Sequence, residues 1–230
     1  HLLRKNKKVI LIEKNFIASG STGRGTGILA PGVEMDFIDM LNIYGNKLTS
    51  KFWKITMESM SEIKHIIKEH NINCEIEHTG SIIYPVSKKQ DNLLRKEYDL
   101  RLKNHHPCEY FSNDNVSKII NANVYSALYS KVECIFNQEK FVFGLAKYLK
   151  YKINIFENTP AINIKKHKDI YIVKTPHGKI IAKKIILASG VYDLKFIKPK
   201  HKIYKSTCFE IATKPLKKEQ LKYIGWKKGH

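Results

Sequence analysis

The sequence predicts an α/β fold, in which a parallel sheet carries a β-meander and is interleaved with an α+β part built on a mainly antiparallel sheet. Three observations predict this class. The stretch Val9–Gly27 joins a short apolar run, which ends at Glu13, to a loop that holds four glycines. Short apolar runs alternate along the chain with segments of helical period, as in α/β proteins. Between residues 161 and 182, three short strand patterns follow one another across polar turns, as in a β-meander.

The length of 230 residues allows one large domain or two small ones, and the 43% of apolar residues are enough to bury a core. The formal net charge is +20 and the pI is about 9.7, which suits nucleic acid, an anionic membrane surface or an acidic substrate. Lysine, however, is spread over the whole chain together with Ile and Asn, which is typical of an AT-rich codon bias. No basic block interleaved with aromatic residues is present, so nucleic-acid binding is not favoured.

The cysteine pattern predicts neither a zinc site nor a disulfide framework, because the four cysteines are far apart and form no Cys-x-x-Cys pair. The stretch His105–Cys108 is expected to be a solvated loop, since adjacent histidines point apart on most backbones; no metal is predicted. A reduced, cytoplasmic protein is the expectation. No apolar run approaches the roughly 18 residues of a membrane helix and no signal peptide is recognisable, so no membrane span is predicted.

The first element is predicted to be a fully buried parallel strand at Lys8–Glu13, preceded by a helix end at His1–Lys5 that Asn6 closes in a left-handed conformation. In doubly wound α/β folds, an acid at the carboxyl end of such a strand accepts hydrogen bonds from a nucleotide ribose. The loop Asn15–Gly32 offers backbone N–H groups, hydroxyls and one arginine, which suit a pyrophosphate. The sequence therefore predicts a dinucleotide. The Gly-x-Gly-x-x-Gly turn expected upstream is not in these 230 residues, so we expect a fragment of a longer protein.

Five helices are predicted from three- and four-residue apolar spacing and from capping residues. They are Asp39–His70, Lys88–Lys103, Asn115–Ile120 after the start signal Ser112–Asp114, Gln138–Lys150 capped by Asn137, and Lys218–Tyr223. The apolar stripe expected to face the core in the first of them is Leu41, Tyr44, Leu48, Phe52, Ile55, Ile63, Ile66 and Ile67. In the second helix, Leu94, Tyr98 and Leu102 share one face, and in the fourth Phe141, Leu145, Ala146 and Leu149 face a core.

The remaining strands follow from alternation and turn residues. A hairpin is predicted over Glu75–Pro85, turning at His78–Gly80. Further strands are predicted at Val124–Tyr129, Val132–Ile135, Ile153–Phe156, Ala161–Lys166, Ile170–Thr175, Lys179–Ala182, Ile185–Ala188 and Tyr204–Thr213.

Four segments, taken in order, resemble FAD-dependent oxidoreductases of the D-amino-acid oxidase and glycine oxidase type. The first is the strand that ends at Glu13-Lys14, followed by the run Gly20–Leu29. The second is Thr79–Ile82, at the start of the substrate-side sheet. The third is Asn158–Ile162, followed by Thr175, Gly178 and Ala182–Gly190, and the fourth is Ala212–Leu216 with Gly225-Trp226 beyond it. The order and spacing agree over nearly the whole chain.

The resemblance implies a Rossmann-like FAD-binding domain with a β-meander and assigns roles to individual residues. Glu13 would bind the adenosine ribose hydroxyls, and Lys14 would lie near the adenine. Three residues would face the pyrophosphate: Ser21, Thr22 and Arg24. The run past the ribityl chain and the flavin would be Thr26, Gly27, Ile28 and Leu29. The backbone of Ala161 would pair with adenine, and the next strand would close over the nucleotide through Ala188, Ser189 and Gly190.

Departures from the family pattern limit what the resemblance implies. Gly25 stands where many relatives carry Asn, and Ser189 replaces the usual Thr. Some relatives attach FAD through a His of the first loop, but Arg24-Gly25 occupies that region here, so non-covalent FAD is expected. The implied domains are discontinuous, with residues 1–73 and 136–200 forming the FAD-binding domain and residues 74–135 and 201–230 forming the substrate domain. Both lack parts of the family fold, namely the amino-terminal strand with its glycine turn and the carboxyl-terminal part.

The implied activity is oxidation of the C–N bond of an amine or amino acid. A hydride leaves the carbon that bears nitrogen and reaches flavin N5, the resulting imine hydrolyses, and oxygen or another acceptor takes the electrons. No catalytic residue is assigned, although Tyr84, Tyr204, Lys205 and Glu210 lie on strands that could face a substrate. The alternatives are a flavin oxidase or dehydrogenase of a 2-hydroxy acid or glycerol phosphate, a truncated non-catalytic module, and a basic RNA-binding partner. The chain alone is expected to bind FAD poorly.

Overall fold

The computed structural model describes residues 1–33, 35–119, 121, 123–190, 196, 209, 211 and 213–225. The chain folds into two compact units, of which the first comprises His1–Gly20 with Ala146–Thr213 and the second Ser21–Leu145 with Lys214–His230. The domain boundaries expected from the sequence stay a prediction. Outside the described residues lie Ile120, Tyr204, Lys205, Cys208, Glu210, Ala212 and Trp226, and with them most of the strand predicted at Tyr204–Thr213.

Ten strands and five helices can be assigned in the described part of the chain. The strands are β1 (Ile10–Ile12), β2 (Ile28–Leu29), β3 (Ser81–Ile83), β4 (Cys108–Ser112), β5 (Ser126–Ser130), β6 (Cys134–Ile135), β7 (Asn154–Phe156), β8 (Asn163–His167), β9 (Ile170–Thr175) and β10 (Gly178–Ala182). The helices are α1 (Phe37–Glu69), α2 (Lys88–Lys103), α3 (Asn113–Val116), α4 (Gln138–Leu149) and α5 (Lys218–Ile224).

In the first unit, β1 and β7 form a parallel pair, with Leu11 opposite Ile155. The predicted strand and its parallel pairing are confirmed, and so is the left-handed residue before it, since Asn6 has φ 52°. The prediction that this strand is fully buried is wrong, because Ile10 is 46% and Leu11 is 38% exposed. Among the described residues β7 alone pairs with β1, so the strand lacks the neighbours that would cover it.

The predicted β-meander is confirmed in the first unit. Strands β8, β9 and β10 form an antiparallel sheet in the order β10-β9-β8, and Lys168 takes a positive φ in the turn between β8 and β9. The strand predicted at Ile185–Ala188 is not formed, and Ile186 is 72% exposed. Among the described residues, no strand pairs with this segment. Its apolar sequence alone was therefore not enough to predict a strand.

The second unit contains an antiparallel sheet in the order β3-β5-β4 and an antiparallel pair, β2 and β6. The hairpin predicted over Glu75–Pro85 is wrong. Glu77 exchanges two backbone hydrogen bonds with Ile135, at 2.8 and 3.0 Å, while β3 pairs with β5. Both halves of the predicted hairpin therefore find their partners between residues 126 and 135 and do not pair with each other.

Helix α1 has 33 residues and is interrupted at Gly45, where φ is 74° and ψ is 166°. Its buried residues are Phe37, Met40, Thr49, Trp53, Met60 and Ile67. Much of the apolar stripe predicted for the core is instead exposed, at 38% to 58%: Tyr44, Leu48, Phe52 and Ile55. After Gly45 the buried face runs through Thr49, Trp53, Met60 and Ile67, so it is shifted by one residue from the predicted Leu48 and Phe52 and includes a polar residue that an apolar stripe leaves out.

Helices α2, α4 and α5 begin where the sequence predicts, whereas α3 begins at Asn113, two residues before the predicted Asn115, because Ser112 takes the N-cap position. Helix α2 spans the predicted residues, and α4 starts after Asn137, whose Oδ1 accepts a hydrogen bond from the Lys140 N–H at 2.9 Å. Of the three residues predicted to share one face of α2, Leu94 is buried whereas Leu102 is 45% exposed. The buried residues of α2 are Asp91, Leu94, Glu97 and Arg101, so a largely polar face is packed.

Candidate functional site

In the first unit, the backbone around Glu13 is fixed by the end of the parallel pair. Its N–H donates to the Phe156 carbonyl at 2.8 Å, and its carbonyl accepts from the Thr159 N–H at 2.8 Å. One carboxylate oxygen, Oε1, accepts from the Asn15 N–H at 2.9 Å. The other oxygen has no hydrogen-bond partner among the described residues. This partly exposed carboxylate is therefore held in place with one oxygen available for a ribose hydroxyl.

The other residues of the first unit that were predicted to bind the cofactor lie in three places. Lys14 is exposed and follows Glu13, Ala161 follows β7, and Ala188–Gly190 follow the β-meander. Ala161 is partly exposed and precedes β8, next to Ile162, whose N–H donates to the Lys174 carbonyl at 2.8 Å. The segment Ala188–Gly190 is exposed, and Gly190 has φ 62°. These positions can be reached by a ligand from solvent.

In the second unit, the predicted pyrophosphate residues form a short 3₁₀ turn, Ser21–Arg24. The side chains of Ser21 and Thr22 are exposed, as is that of Thr26, and Arg24 lies on the same turn. Within the described part of the chain, none of these four side chains makes a hydrogen bond or an ion pair. Two hydroxyls and a guanidinium on one turn are thus free to bind an anion.

Gly27 marks a close approach of two backbone segments. It has φ +78°, and a Cβ atom added there would lie 2.3 Å from the Phe136 carbonyl oxygen. The Phe136 N–H donates to the Gly27 carbonyl at 2.9 Å, and the chain then enters β2, where Ile28 lies opposite Ile135. Only glycine fits this position, because a side chain would both strain the backbone and collide with it. The run predicted to pass the ribityl chain and the flavin is therefore held against β6.

The second unit also contains a cavity of about 490 Å³ that the run after Gly27 helps to form. Apolar residues make much of its wall, among them Ile28, Ala30, Pro31, Trp53, Ile82 and Ile83. Charged residues line it as well, namely Asp36, Asp39, Arg101 and Glu133. None of these charged residues was identified from the sequence. The signal for Arg101 was the Glu97–Arg101 spacing of four residues on a predicted helix, which places the two side chains on one face.

A carboxylate from α2 caps the start of α1. Asp36 holds the N-cap position, but its side chain makes no capping hydrogen bond. Glu97 instead accepts from the Phe37 N–H at 2.9 Å and from the Ile38 N–H at 2.8 Å. Arg101 donates from Nε to Glu97 at 2.7 Å, and the two side chains are almost completely buried. The pair thus satisfies two of the N–H groups that every helix start leaves without an intrahelical partner.

Beside this pair, three rings pack together. Phe37 and Trp53 meet edge to face at 5.2 Å between centroids, and His106 lies 5.4 and 5.2 Å from them. Burial lowers the pKa of His106 to about 4, and the nearby Arg101 charge contributes in the same direction. The predicted solvated loop at His105–Cys108 is therefore wrong for His106, because its ring completes an aromatic cluster.

The described residues include three free cysteines, Cys74, Cys108 and Cys134. Burial is the main cause that raises the pKa of each thiol, so all three remain protonated at neutral pH. The described residues bring together no group of three or more His, Cys, Asp or Glu side chains that could hold a metal ion. No helix in this part of the chain combines the length and the apolar character that crossing a membrane requires.

Residues 1–228 match the family described as "FAD dependent oxidoreductase", known as DAO. The chain is also 24% identical over 224 residues to the "Probable oxidoreductase OrdL" of Haemophilus influenzae, a match that covers 94% of this chain and 52% of that protein. The family match covers nearly the whole sequence, as the resemblance drawn from four separate segments implies.

Solved structures give the same fold. Glycine oxidase from Geobacillus kaustophilus has a TM-score of 0.68 at 15% identity, covering 85% of this chain and 52% of that one. An L-amino acid deaminase from Proteus vulgaris has a TM-score of 0.68 at 18% identity, covering 85% and 50%. These likenesses confirm the mixed α/β fold class with parallel and antiparallel sheets. The chain spans about half the length of the relatives it matches.

Proposed function

Because the chain belongs to the DAO family of FAD-dependent oxidoreductases, we propose that it forms part of an enzyme that oxidises the C–N bond of an amine or amino acid. FAD is the cofactor of this family, and when bound it supplies the acceptor for the hydride that leaves the substrate carbon. A small-molecule substrate and an electron acceptor such as oxygen complete the reaction. The separated cysteines support a reduced, cytoplasmic setting as part of this proposal.

The proposal keeps the role that the resemblance implies for each residue. Glu13 binds the ribose hydroxyls, Lys14 lies near the adenine, Ala161 pairs with adenine, and Ala188, Ser189 and Gly190 close over the nucleotide. The pyrophosphate is bound by Ser21, Thr22 and Arg24, and the run past the ribityl chain and the flavin is Thr26, Gly27, Ile28 and Leu29. FAD is held without a covalent bond, because Arg24 and Gly25 stand where some relatives carry the attaching His.

The geometry of Glu13 carries the proposal. A carboxylate at the carboxyl end of a parallel strand, with one oxygen bonded to the loop at 2.9 Å and the other unbonded among the described residues, suits a ribose diol. The free hydroxyls and guanidinium of Ser21–Arg24 support it independently, since they match the oxygen-rich pyrophosphate.

Replacing Glu13 by Ala in the full-length protein tests the ribose role. Hydrogen bonds to a charged group contribute about 1.5–3 kcal/mol each, so FAD affinity should fall by about ten- to a hundredfold. The measurement is a fluorescence titration of the apoprotein with FAD. Glu13→Gln keeps an acceptor for the Asn15 N–H and should fall between the wild type and Glu13→Ala.

The matched control is Asp169→Ala, which removes an exposed carboxylate from the turn between β8 and β9 in the same unit. Its FAD affinity should equal that of the wild type. Unchanged affinity in Glu13→Ala would refute the ribose role, and equal losses in Glu13→Ala and Asp169→Ala would trace the effect to net charge alone.

A further inference from the structure

We propose that Glu157 is a positioning residue of the adenosine end of the cofactor site, because its carboxylate holds the loop that follows Glu13. The inference rests on the proposed function, since it concerns the residues that this function assigns to the ribose and the adenine. Glu157 is not assigned a contact with the cofactor. It acts through the backbone of the loop, on which the position of the Glu13 carboxylate depends.

The side chain of Glu157 joins two segments that are far apart in the sequence. Its Oε1 atom accepts a hydrogen bond from the Ile17 N–H at 2.6 Å, across 140 residues. Glu157 directly follows β7, whereas Ile17 lies in the loop after β1. A hydrogen bond from a backbone N–H to a carboxylate is among the stronger ones in proteins. It therefore ties the middle of this loop to the end of β7.

The backbone brings the same two segments together just before this contact. Three hydrogen bonds join them beyond the paired strands: the Glu13 N–H to the Phe156 carbonyl at 2.8 Å, the Thr159 N–H to the Glu13 carbonyl at 2.8 Å, and the Asn158 N–H to the Asn15 carbonyl at 2.6 Å. The bond made by Glu157 is the fourth of this set and the one that a side chain supplies. A substitution can remove it without changing the three backbone bonds.

The loop in turn sets the position of the Glu13 carboxylate. Its Oε1 atom accepts from the Asn15 N–H at 2.9 Å, so the side chain follows the loop backbone two residues further on. Asn15 is held by Asn158, and Ile17 is held by Glu157. Loss of the Glu157 bond releases the loop beyond Asn15, and the Glu13 carboxylate then has to be ordered when the ribose binds. Ordering of this kind weakens affinity.

Glu157 also belongs to the segment that leads to the adenine contact. Its carbonyl accepts a hydrogen bond from the Thr159 hydroxyl at 2.8 Å, and Thr159 is buried. Ala161, whose backbone the proposed function pairs with adenine, follows two residues later. Glu157 thus fixes the loop assigned to the ribose with its side chain and the turn before Ala161 with its backbone.

The first test measures the affinity of the full-length apoprotein for FAD by fluorescence titration. Glu157→Ala should weaken binding about tenfold, the size of effect that one hydrogen bond to a charged group has. Glu157→Gln keeps an oxygen that can accept from the Ile17 N–H, so it should stay within about threefold of the wild type. Asp169→Ala removes an exposed carboxylate from the same unit and should bind FAD as the wild type does.

Hydrogen exchange of the apoprotein, followed by mass spectrometry, tests the loop without the cofactor. A peptide covering residues 14–20 should exchange about tenfold faster in Glu157→Ala, and at nearly the wild-type rate in Glu157→Gln. Peptides from β9 and β10 should exchange equally in all variants. Faster exchange throughout the first unit would show a general loss of structure and overturn the positioning role.

A double-mutant cycle separates positioning from general stabilisation. If Glu157 acts through Glu13, Glu157→Ala should change FAD affinity little in a protein that already carries Glu13→Ala, because contacting residues are not additive. A merely structural role predicts the same loss in both backgrounds. The inference is overturned by equal losses, or by a Glu157→Ala variant that binds FAD as tightly as the wild type.

The proposed function is judged by a different arm of these measurements. Unchanged FAD affinity in Glu13→Ala refutes the ribose role. Weaker binding in Glu13→Ala together with normal binding in Glu157→Ala keeps the ribose role and overturns only the positioning role. Weaker binding in Glu157→Ala alone counts against both, because the loop would then act on a group other than Glu13.

Discussion

At the scale of single residues, the packing around the start of α1 depends on two buried charged side chains. Glu97 and Arg101 are 2% and 5% exposed, and the pair is stabilised because Glu97 also accepts two backbone N–H groups. Removing one member of such a pair leaves a buried charge without a partner, which costs about 3–5 kcal/mol. His106 and Trp53 pack beside it, so the same few residues shape both the cavity and the aromatic cluster.

His106 predicts a pH dependence of stability. Its pKa is lowered from 6.5 to about 4 in the folded protein, so between these values the unfolded chain binds a proton that the folded protein does not. The stability that it contributes is complete above pH 6.5 and is lost as the pH falls towards 4. From pH 7 to pH 5 the loss should be about 2 kcal/mol, measured by urea unfolding. His106→Phe should lack this part of the pH dependence.

The matched control for His106 is His177→Phe, which replaces an exposed histidine in the turn between β9 and β10. It should keep the pH dependence of the wild type. A His106→Phe variant whose free energy of unfolding falls as steeply as that of the wild type would contradict the assignment.

At the scale of elements, α1 shows that the length of a helix is easier to predict from sequence than its buried face. Periodicity predicted the existence and length of α1 well, because it depends on spacing within each half of the helix. The buried face could not be predicted, because it includes the polar Thr49 and depends on the segments against which the helix packs. The hairpin over Glu75–Pro85 failed for a related reason, because strand pairing depends on segments more than 40 residues away.

Gly45→Ala tests the break in α1. Its φ and ψ, 74° and 166°, lie in a region that is essentially restricted to glycine, whereas nothing lies within 4 Å of an added Cβ. The cost is therefore purely one of backbone conformation, about 1–3 kcal/mol in the free energy of unfolding. Chemical denaturation measures it. Gly20→Ala, where the added Cβ also meets nothing and φ is not positive, should be nearly neutral; a more stable Gly45→Ala variant would show that α1 prefers to be continuous.

At the scale of the whole molecule, the family was predictable because it depends on the order of four segments and not on any contact between them. Glu13 and the glycine-rich run could be named as candidate cofactor-binding residues because both are recognised from local sequence. The capping role of Glu97 could not be predicted, because it appears only when the partner of each N–H group is known. The formal charge of +20 also cannot be interpreted from the sequence alone. The structure shows that several lysines form ion pairs, such as Lys88 with Asp91 at 2.8 Å.

This distribution of charge predicts weak, unspecific binding to nucleic acid. The lysines are dispersed and partly paired, so few can contact successive phosphates at once. In a filter-binding assay at 0.15 M salt, the Kd for a short RNA should be weaker than about 1 μM and similar for duplex DNA. Tight binding that persists at higher salt and prefers one RNA sequence would instead establish the basic RNA-binding alternative.

The hydrogen bonds between Glu97 and the start of α1 also bear on how the chain is synthesised. The carboxylate that caps this helix follows Phe37 by 60 residues. At translation rates of about 5–20 residues per second, the first turn of α1 waits roughly 3–12 seconds for Glu97 to be made. During that interval the Phe37 and Ile38 N–H groups can be satisfied by water. The cap of the longer helix is therefore completed only after synthesis has reached Glu97, well into α2.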